Sequence, residues 1–417
     1  MHVAIFEDDL IAHFSPLVQF RPVYALRCGA QTLLEKILRQ CPNVSYSLLM
    51  RPHLATLVRE FHPQVAINLL PESACWLVNG RVLASPDLGK LLRKRHVQSH
   101  VYRSGSDLVA VFLSSSDATR LGSRLNDGRI DHSLLDEFAS SEIDADCVRY
   151  PWDCISHSGE QIVRDVQTMK SGRRIQGKIH YGAHVLNRKH IFIGKGSVLK
   201  PGAVVDAEHG PVVIGDNVTI MPHSYIEGPA YIGDHSTVKA GARLTHGTSI
   251  GVHCKVGGEV EASIIQSYSN KQHDGFLGHS MVGSWVNIGA DTNTSDLKNT
   301  YGTVRVELNG NIVDSQELFV GLTIGDHSKT GINVMFDAGT IVGVCCNIYG
   351  AGLPPRAIPA FSWGSSSKLE EYDLEKCIAT AKLVMARRGV TMTNAYEQLI
   401  RNAFAGTTED RRRSGVR

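Results

Sequence analysis

From Ile193 onward, aliphatic residues return at every sixth position. Ile214, Ile220, Ile226, Ile232, Val238, Leu244, Ile250 and Val256 are eight successive positions at that spacing, and Ile193, Leu199 and Val205 keep the same beat before a short interruption. The beat resumes at Ile324 and returns at Phe336, Val342 and Ile348, with Thr330 as the exception. Six residues turn an α-helix by roughly 600°, which scatters them off any one stripe. Half-buried antiparallel strands need a period of two and hairpin turns. A period of six fits a solenoid whose coil is a triangle of three short strands, with each aliphatic side chain pointing inward and stacking on its equivalent one coil away. Gly and Asp follow the inward residue at Ile214-Gly215-Asp216, Ile232-Gly233-Asp234 and Ile324-Gly325-Asp326, where a tight corner needs them. The pattern predicts a left-handed parallel β-helix of hexapeptide repeats over 191–364.

The repeat is interrupted at 291–322. There Thr303–Leu308 and Asn311–Ser315 flank Asn309-Gly310, the signature of a β-hairpin. Such an insertion on a solenoid is expected to serve binding. After the repeats, helical patterns at Glu370–Arg388 and Thr393–Ala403 predict C-terminal helices over 365–406 that cap the open end of the solenoid. The basic, polar stretch 407–417 reads as a disordered tail.

Residues 1–150 have a different texture. Val3–Phe6, Tyr46–Met50, Val65–Leu70 and Leu108–Leu113 read as strands, and Gln31–Arg39, Leu54–Phe61 and Leu88–Arg95 as helices. That alternation predicts an α/β domain with a mainly parallel sheet. Residues 151–190 read as a connector.

Charge narrows the function classes. The 43 basic and 41 acidic side chains leave a net +2, which gives no electrostatic case for nucleic acid or an anionic membrane as partner. The longest apolar runs fall short of the roughly 18 residues a membrane span needs. The N-terminus, MHVAIFEDD, lacks the features of a secretory signal. Nine cysteines without a C-x-x-C pair read as reduced thiols. A cytoplasmic location is expected.

The most polar stretch of the solenoid is Ser269-Asn270-Lys271-Gln272-His273-Asp274-Gly275-Phe276-Leu277-Gly278, followed by Asn287-Ile288-Gly289-Ala290-Asp291-Thr292-Asn293-Thr294. His273 stands beside Lys271 and ahead of glycine corners. A neutral imidazole suits proton removal near pH 7, and backbone N–H groups at glycine corners suit an oxyanion. The bland alternative for His273 is a corner residue bonded to backbone. His246, His253, His273 and His279 raise a metal-centred reading, a γ-class carbonic anhydrase, although their spacing fits three converging ligands poorly.

The segment 269–296 resembles the acetyltransferase half of the bifunctional family that pairs N-acetylglucosamine-1-phosphate uridyltransferase with glucosamine-1-phosphate N-acetyltransferase. That family reads roughly K-A-G-H-x-x-Y-L-G-D, then N-I-G-A-G-T-x-T-x-N-Y. Here the chain has K-Q-H-D-G-F-L-G-H and N-I-G-A-D-T-N-T-S-D-L, with the same fourteen-residue step from His273 to Asn287. The resemblance covers roughly 1–365, most strongly 193–350. It implies that His273 is the catalytic base and that Asn287 contacts a sugar phosphate. It implies a coenzyme A channel along Gly289, Ala290 and Gly350, and further substrate contacts from Lys271, Phe276 and Asn293. The family's Tyr is Phe276 here, and its Asn-Tyr pair falls on Asp296-Leu297, leaving Asn299 and Tyr301 as substitutes. The family's sugar-phosphate Arg and Lys fall near Thr245 and Glu261, leaving Lys271, Lys298 or Arg243 to replace them. Acetyl-CoA and an amino sugar phosphate are the implied reactants, with no metal at this site. A homotrimer is the implied assembly.

For the N-terminal domain the resemblance is to sugar nucleotidyltransferases. Pro16-Leu17-Val18-Gln19-Phe20-Arg21-Pro22 resembles the family's P-L-T-x-x-R-P, yet the first strand runs into Glu7-Asp8-Asp9 with no glycine loop. The second strand ends Val78-Asn79-Gly80-Arg81, with Arg where the family's metal-binding Asp stands. Arg21, Arg27 and Arg81 are the candidates for binding a phosphate or nucleotide. Equally, these arginines would pair with Glu7, Asp8 or Asp9. The function expected is acetyl-CoA-dependent N-acetylation of an amino sugar phosphate in nucleotide-sugar biosynthesis, with a divergent N-domain. The alternatives are a bifunctional enzyme whose N-domain uses Mg²⁺ and a nucleoside triphosphate, and a non-catalytic sugar-nucleotide-binding scaffold.

Overall fold

The computed structural model describes residues 1–125, 128, 130, 132–168 and 175–417. The chain divides into two compact units. One consists of Met1–Phe14, Phe20–Leu26 and Thr32–Arg149, the other of Ser15–Gln19, Arg27–Gln31 and Tyr150–Arg417.

The first unit is built on a seven-stranded sheet ordered Ala66–Ile67, Ser45–Leu49, His2–Phe6, Cys75–Asn79, Asp107–Leu113, His100–Ser104, Ala139–Glu142. The first four strands run parallel. Asp107–Leu113 is antiparallel to both of its neighbours. Residues 3–6, 75–79 and 107–113 are buried throughout, as strands covered on both faces must be. Helix α1 (Leu33–Gln40) opens with a capping box: Thr32 Oγ1 accepts from the Glu35 amide, and Glu35 accepts from the Thr32 amide. Helices α2 (Pro52–Phe61), α3 (Pro86–Leu92) and α4 (Ser115–Gly122) follow, α3 and α4 capped by Ser85 and Ser114. The strand expected at Val65–Leu70 is only Ala66–Ile67. The chain leaves the central strand His2–Phe6 first to one side and then to the other, so the carboxyl ends of His2–Phe6 and Cys75–Asn79 flank a switch point, where open α/β sheets place their ligands.

In the second unit the stretch read as a connector is helical at α5 (Pro151–Thr168) and then enters the solenoid, whose first strand is Lys178–Ile179. Three sheets of eight, nine and eleven strands form the three faces, with coil-to-coil neighbours parallel, as in a left-handed β-helix. The six-residue beat is the core: Leu199, Ile220, Val238 and Val256 stack beneath one face, Val205, Ile226, Leu244 and Val260 beneath the second, Ile214, Ile232, Ile250 and Ile265 beneath the third. Thr330 breaks the apolar run because Thr292 lies against it one coil away, hydroxyl to hydroxyl at 3.1 Å.

The corners carry a second regularity. Asn217, His235, His253, Tyr268, Trp285, His327, Cys345 and Phe361 occupy one corner on successive coils, all with φ between +55° and +68°. Their side chains form an external ladder. His235–His253, His253–Tyr268 and Tyr268–Trp285 are stacked at 4.7, 5.0 and 4.2 Å. The stacked rings run on to His327, whose Nε2 meets Tyr396 Oη at 2.9 Å.

The insertion is a two-stranded antiparallel hairpin, Arg305–Leu308 with Asn311–Asp314, and the solenoid strand Asn293–Thr294 continues into the expected insertion range before the chain departs. Val304, Val306, Val320 and Ala338 bury against Trp152, so the hairpin is docked on the solenoid. The C-terminal helices are α6 (Leu374–Ala386) and α7 (Asn394–Gly406). They reach back along the coils, bringing Arg388 to Asn270 and Tyr396 to His327. The tail at 407–417, expected to be disordered, is folded. A short helix α8 (Thr408–Arg413) buries Arg411, whose charge is met by Glu371, by Thr407 Oγ1 and by the ring face of Phe404.

Candidate active site

The strand Asn270–Lys271 points its two side chains to opposite sides, as strands must. Asn270 faces outward. Lys271 faces inward, between the core residues Val256 and Ile288, and is 1% exposed. Its Nζ donates to the main-chain oxygens of His273 at 2.5 Å and Asp274 at 3.1 Å. Desolvation lowers the ammonium to about 8, with Asp274 and Asp291 opposing that shift. Lys271 was expected to contact substrate; it is sealed inside the solenoid and acts on the turn that follows it. The preceding corner is cut short: Val238 to Leu244 spans six positions, Val256 to Val260 only four. A Cβ on Gly258 (φ +69°) would lie 2.8 Å from the oxygens of His273 and Gly275 and from Lys271 Nζ.

His273 itself is exposed on this pinned corner. The next coil places Gly289-Ala290-Asp291 against it, with the Asp291 amide donating to the Asp274 oxygen at 3.1 Å. Asn287 is exposed and in register with Asn270. Phe276 follows the corner, its amide donating to Asn293 Oδ1 at 2.8 Å, while Asn293 Nδ2 donates to the Asp291 oxygen. His273, Phe276, Asn287, Ala290 and Asn293 therefore form one patch on two adjoining coils. The Gly289 amide donates to Thr330 Oγ1 at 2.9 Å, so it is turned away from a reacting group. Gly350 (φ +87°) lies two coils further along the same corner, roughly 10 Å away at the usual strand spacing.

The remaining expected residues lie elsewhere. Lys298 Nζ donates to the Thr303 oxygen at the base of the insertion, and Asn299 and Tyr301 are exposed there. Arg243 pairs with Glu259. Nor do the four histidines of the metal reading converge. His253 belongs to the ladder, His273 to a second corner, His246 and His279 to the third. Among the described residues no group of three or more His, Cys, Asp or Glu is placed to hold a metal.

Two features went unread in the sequence. His279 Nδ1 lies 2.8 Å from Asp296 Oδ2, with its ring stacked on Phe319 at 4.9 Å. The Asn270 side chain accepts from Arg388 at 2.6 Å. The sequence signal for the first was slight, since Asp296 follows His279 by seventeen positions, one coil. For the second there was none.

In the first unit, Arg81 is fully buried. It donates to both Asp8 oxygens, to Asp107 Oδ1 at 2.9 Å and to the Val148 oxygen at 2.7 Å. Arg149 takes the other Asp107 oxygen at 2.8 Å. Of the two readings of Arg81, phosphate binding or pairing with Glu7, Asp8 or Asp9, the geometry follows the second: its donors are consumed by carboxylates at the switch point. Those carboxylates are in turn neutralised, so the residues present do not fit Mg²⁺. Glu7 is likewise held by Arg51 and by the amide of Val23. Arg27, in the second unit, is also buried rather than available, its guanidinium 4.9 Å from the Tyr231 ring centroid and donating to the Ala30 oxygen. Arg21 is half-buried.

Residues 3–174 match the family model described as sugar nucleotidyl transferase, and residues 211–246 that of the bacterial transferase hexapeptide in six repeats. Residues 3–174 are thus similar to sugar nucleotidyl transferases, and part of the solenoid to bacterial transferase hexapeptide repeats. Among curated relatives, the bifunctional sugar-1-phosphate nucleotidylyltransferase/acetyltransferase of Sulfurisphaera tokodaii is 34% identical over 151 residues, 36% of this chain and 38% of that protein. The bifunctional protein GlmU of Acidithiobacillus ferrooxidans is 34% identical over 163 residues, 37% of this chain and 31% of that protein. The chain thus spans well under half the length of these relatives. A solved UDP-N-acetylglucosamine O-acyltransferase from Moraxella catarrhalis aligns with 56% of this chain and 96% of its own, at 13% identity and a TM-score of 0.22. In the first unit the switch point is filled by Arg81 and its carboxylates; in the solenoid, beyond the residues matched by the hexapeptide model, the polar patch around His273 is open to solvent. Among the described residues no helix is long and apolar enough to cross a membrane.

Proposed function

We propose that the hexapeptide domain is an acetyl-CoA-dependent N-acetyltransferase acting on an amino sugar phosphate, and that the nucleotidyl transferase domain is divergent. The observation that carries this reading is the His273 corner: an exposed imidazole on a turn pinned from within by Lys271, beside Asn287, Asn293 and Phe276 on adjoining coils. His273 takes a proton from the amine as nitrogen attacks the thioester carbonyl. The C–S bond breaks, and coenzyme A leaves as the thiol. The Arg81–Asp8–Asp107 cluster argues against nucleotidyl transfer by the first domain, because the acids at its switch point already hold a cation. The proposed assembly is a homotrimer in the cytoplasm. The exposed Ile332, Met335, Tyr349 and Leu353 on the last coils supply apolar surface for threefold packing.

The test is coenzyme A thiol release from acetyl-CoA with glucosamine 1-phosphate, comparing wild type with His273→Ala. Turnover that falls about 10²–10⁴-fold in the variant supports the reading. No turnover across a panel of amino sugar phosphates, in folded trimeric protein, sinks it.

A further inference from the structure

On the outward side of the eleven-stranded face, Thr237, Lys255 and Asn270 stand in register on three successive coils. Lys239 follows Val238, the register partner of Val256. Its Cβ lies 3.1 Å from where a Cβ on Gly257 would stand. From the opposite direction, α6 ends at Ala386, and Arg388 reaches Asn270 Oδ1 at 2.6 Å with Arg387 beside it. Two lysines of the coils and two arginines of the helix end thus gather around one outward asparagine. Among the described residues none of the four takes part in an ion pair. Burial, then Arg388, Lys239 and Arg387, hold the Lys255 ammonium below its ordinary value. His253, stacked on Tyr268, is lowered by burial, His235 and Arg388, with Asp234 opposing.

A helix C-terminus attracts cations, which accounts for arginines at the end of α6. It does not account for Lys239 and Lys255, which the coils bring independently. Like charges gathered without a counter-charge cost stability until an anion enters. The cluster also adjoins the His273 corner, since a Cβ on Gly257 would lie 2.3 Å from the oxygen of Gln272, the residue before His273.

We propose that Lys239, Lys255, Arg387 and Arg388 form a binding site for the phosphate of a phosphorylated small-molecule substrate, with α6 supplying half of the site. The identity of the carrier rests on the acetyl-transfer reading: it is either the acceptor's sugar phosphate or the phosphates of coenzyme A. The phosphate site itself does not depend on that reading.

The experiment is calorimetric titration of the full chain with inorganic pyrophosphate, in wild type, Lys255→Met and Arg387→Gln, alongside melting curves without anion. Wild type should bind, more weakly as salt is raised. Each variant should bind about tenfold more weakly, the loss of one charge-assisted contact, and should melt at a higher temperature than wild type in the absence of anion. No binding, or undiminished binding in variants that melt lower, overturns the proposal and marks the cations as structural. Displacement of pyrophosphate by glucosamine 1-phosphate assigns the site to the acceptor, and displacement by coenzyme A to the donor. Displacement by neither overturns the link to a substrate. Catalytically inactive protein that still binds pyrophosphate as described would sink acetyl transfer and leave the site standing.

Discussion

Lys271 Nζ, enclosed by the solenoid core, donates to the main-chain oxygen of His273 at 2.5 Å. A cation thus stands between the aliphatic residues Val256 and Ile288 of the adjoining coils, and it holds the turn that presents the imidazole. Lys271 is a positioning residue on this geometry. Lys271→Met keeps the stem's volume and removes the donor. The variant should stay folded while kcat falls at least about tenfold and KM for the acceptor moves less. An equal kcat in the variant would show that the turn holds without the pin.

The same ammonium makes stability depend on pH in a stated direction. It titrates at about 8 in the folded chain and near 10.4 when unfolded. Between those values the unfolded chain holds the extra proton, so stability rises with pH across the window. Below it, the cost of the buried charge is fully present, on the order of 3 kcal/mol. Urea denaturation at pH 7.5 and pH 10 should show wild type gaining on Lys271→Met at the higher pH.

Arg81→Met should leave Asp8 and Asp107 buried without the guanidinium that bridges them, with Arg149 still paired to Asp107. Removing one partner of a buried pair costs about 3–5 kcal/mol. The expected result is loss of the first transition in urea, or its shift to lower denaturant, with acetyl transfer retained. An unshifted transition would mean the carboxylates find other partners.

How much of this was legible follows from the phase of the repeat. Ile214 to Val256 keep a strict step of six, and the faces of the solenoid follow directly. After Val256 the chain drops residues, and the next inward residue on that face comes fifteen positions later instead of eighteen. Lys271 therefore falls off the six-residue beat and reads as surface polarity. Its burial follows only from pairing with Val256 and Ile288. The family resemblance pointed to His273 and Asn287, which the fold leaves exposed on adjoining coils. It gave no signal for Arg388, which meets Asn270 across more than a hundred residues of chain. Arg81 was legible as a departure from the family pattern, and its role needed Asp107, contributed by a strand that enters the sheet antiparallel.

His279 and Asp296 join consecutive coils where the insertion leaves, and the Gly321 amide donates to the His279 oxygen at 2.9 Å. His279→Asn suits the positive φ of that position (+41°) and removes the imidazole–carboxylate contact. Limited proteolysis should cut the insertion faster, while kcat changes less than about tenfold. A loss as large as that of His273→Ala would move the general base to His279.

Deleting residues 408–417 removes Arg411 from Glu371, Thr407 and Phe404. The truncated chain should melt several degrees lower. Composition alone, which reads this tail as disordered, would have it melt unchanged.

The shortened corner at Gly257-Gly258 bears on what sets the height of the imidazole above the solenoid. With two residues fewer in that corner, the edge of one coil closes against the next: a Cβ on Gly257 would meet the Gln272 oxygen at 2.3 Å, and one on Gly258 the oxygens of His273 and Gly275 at 2.8 Å. The two glycines are thus a floor on which the turn carrying His273 rests, with no space between for even a methyl group. Any side chain added to that floor is felt first as a displacement of the turn.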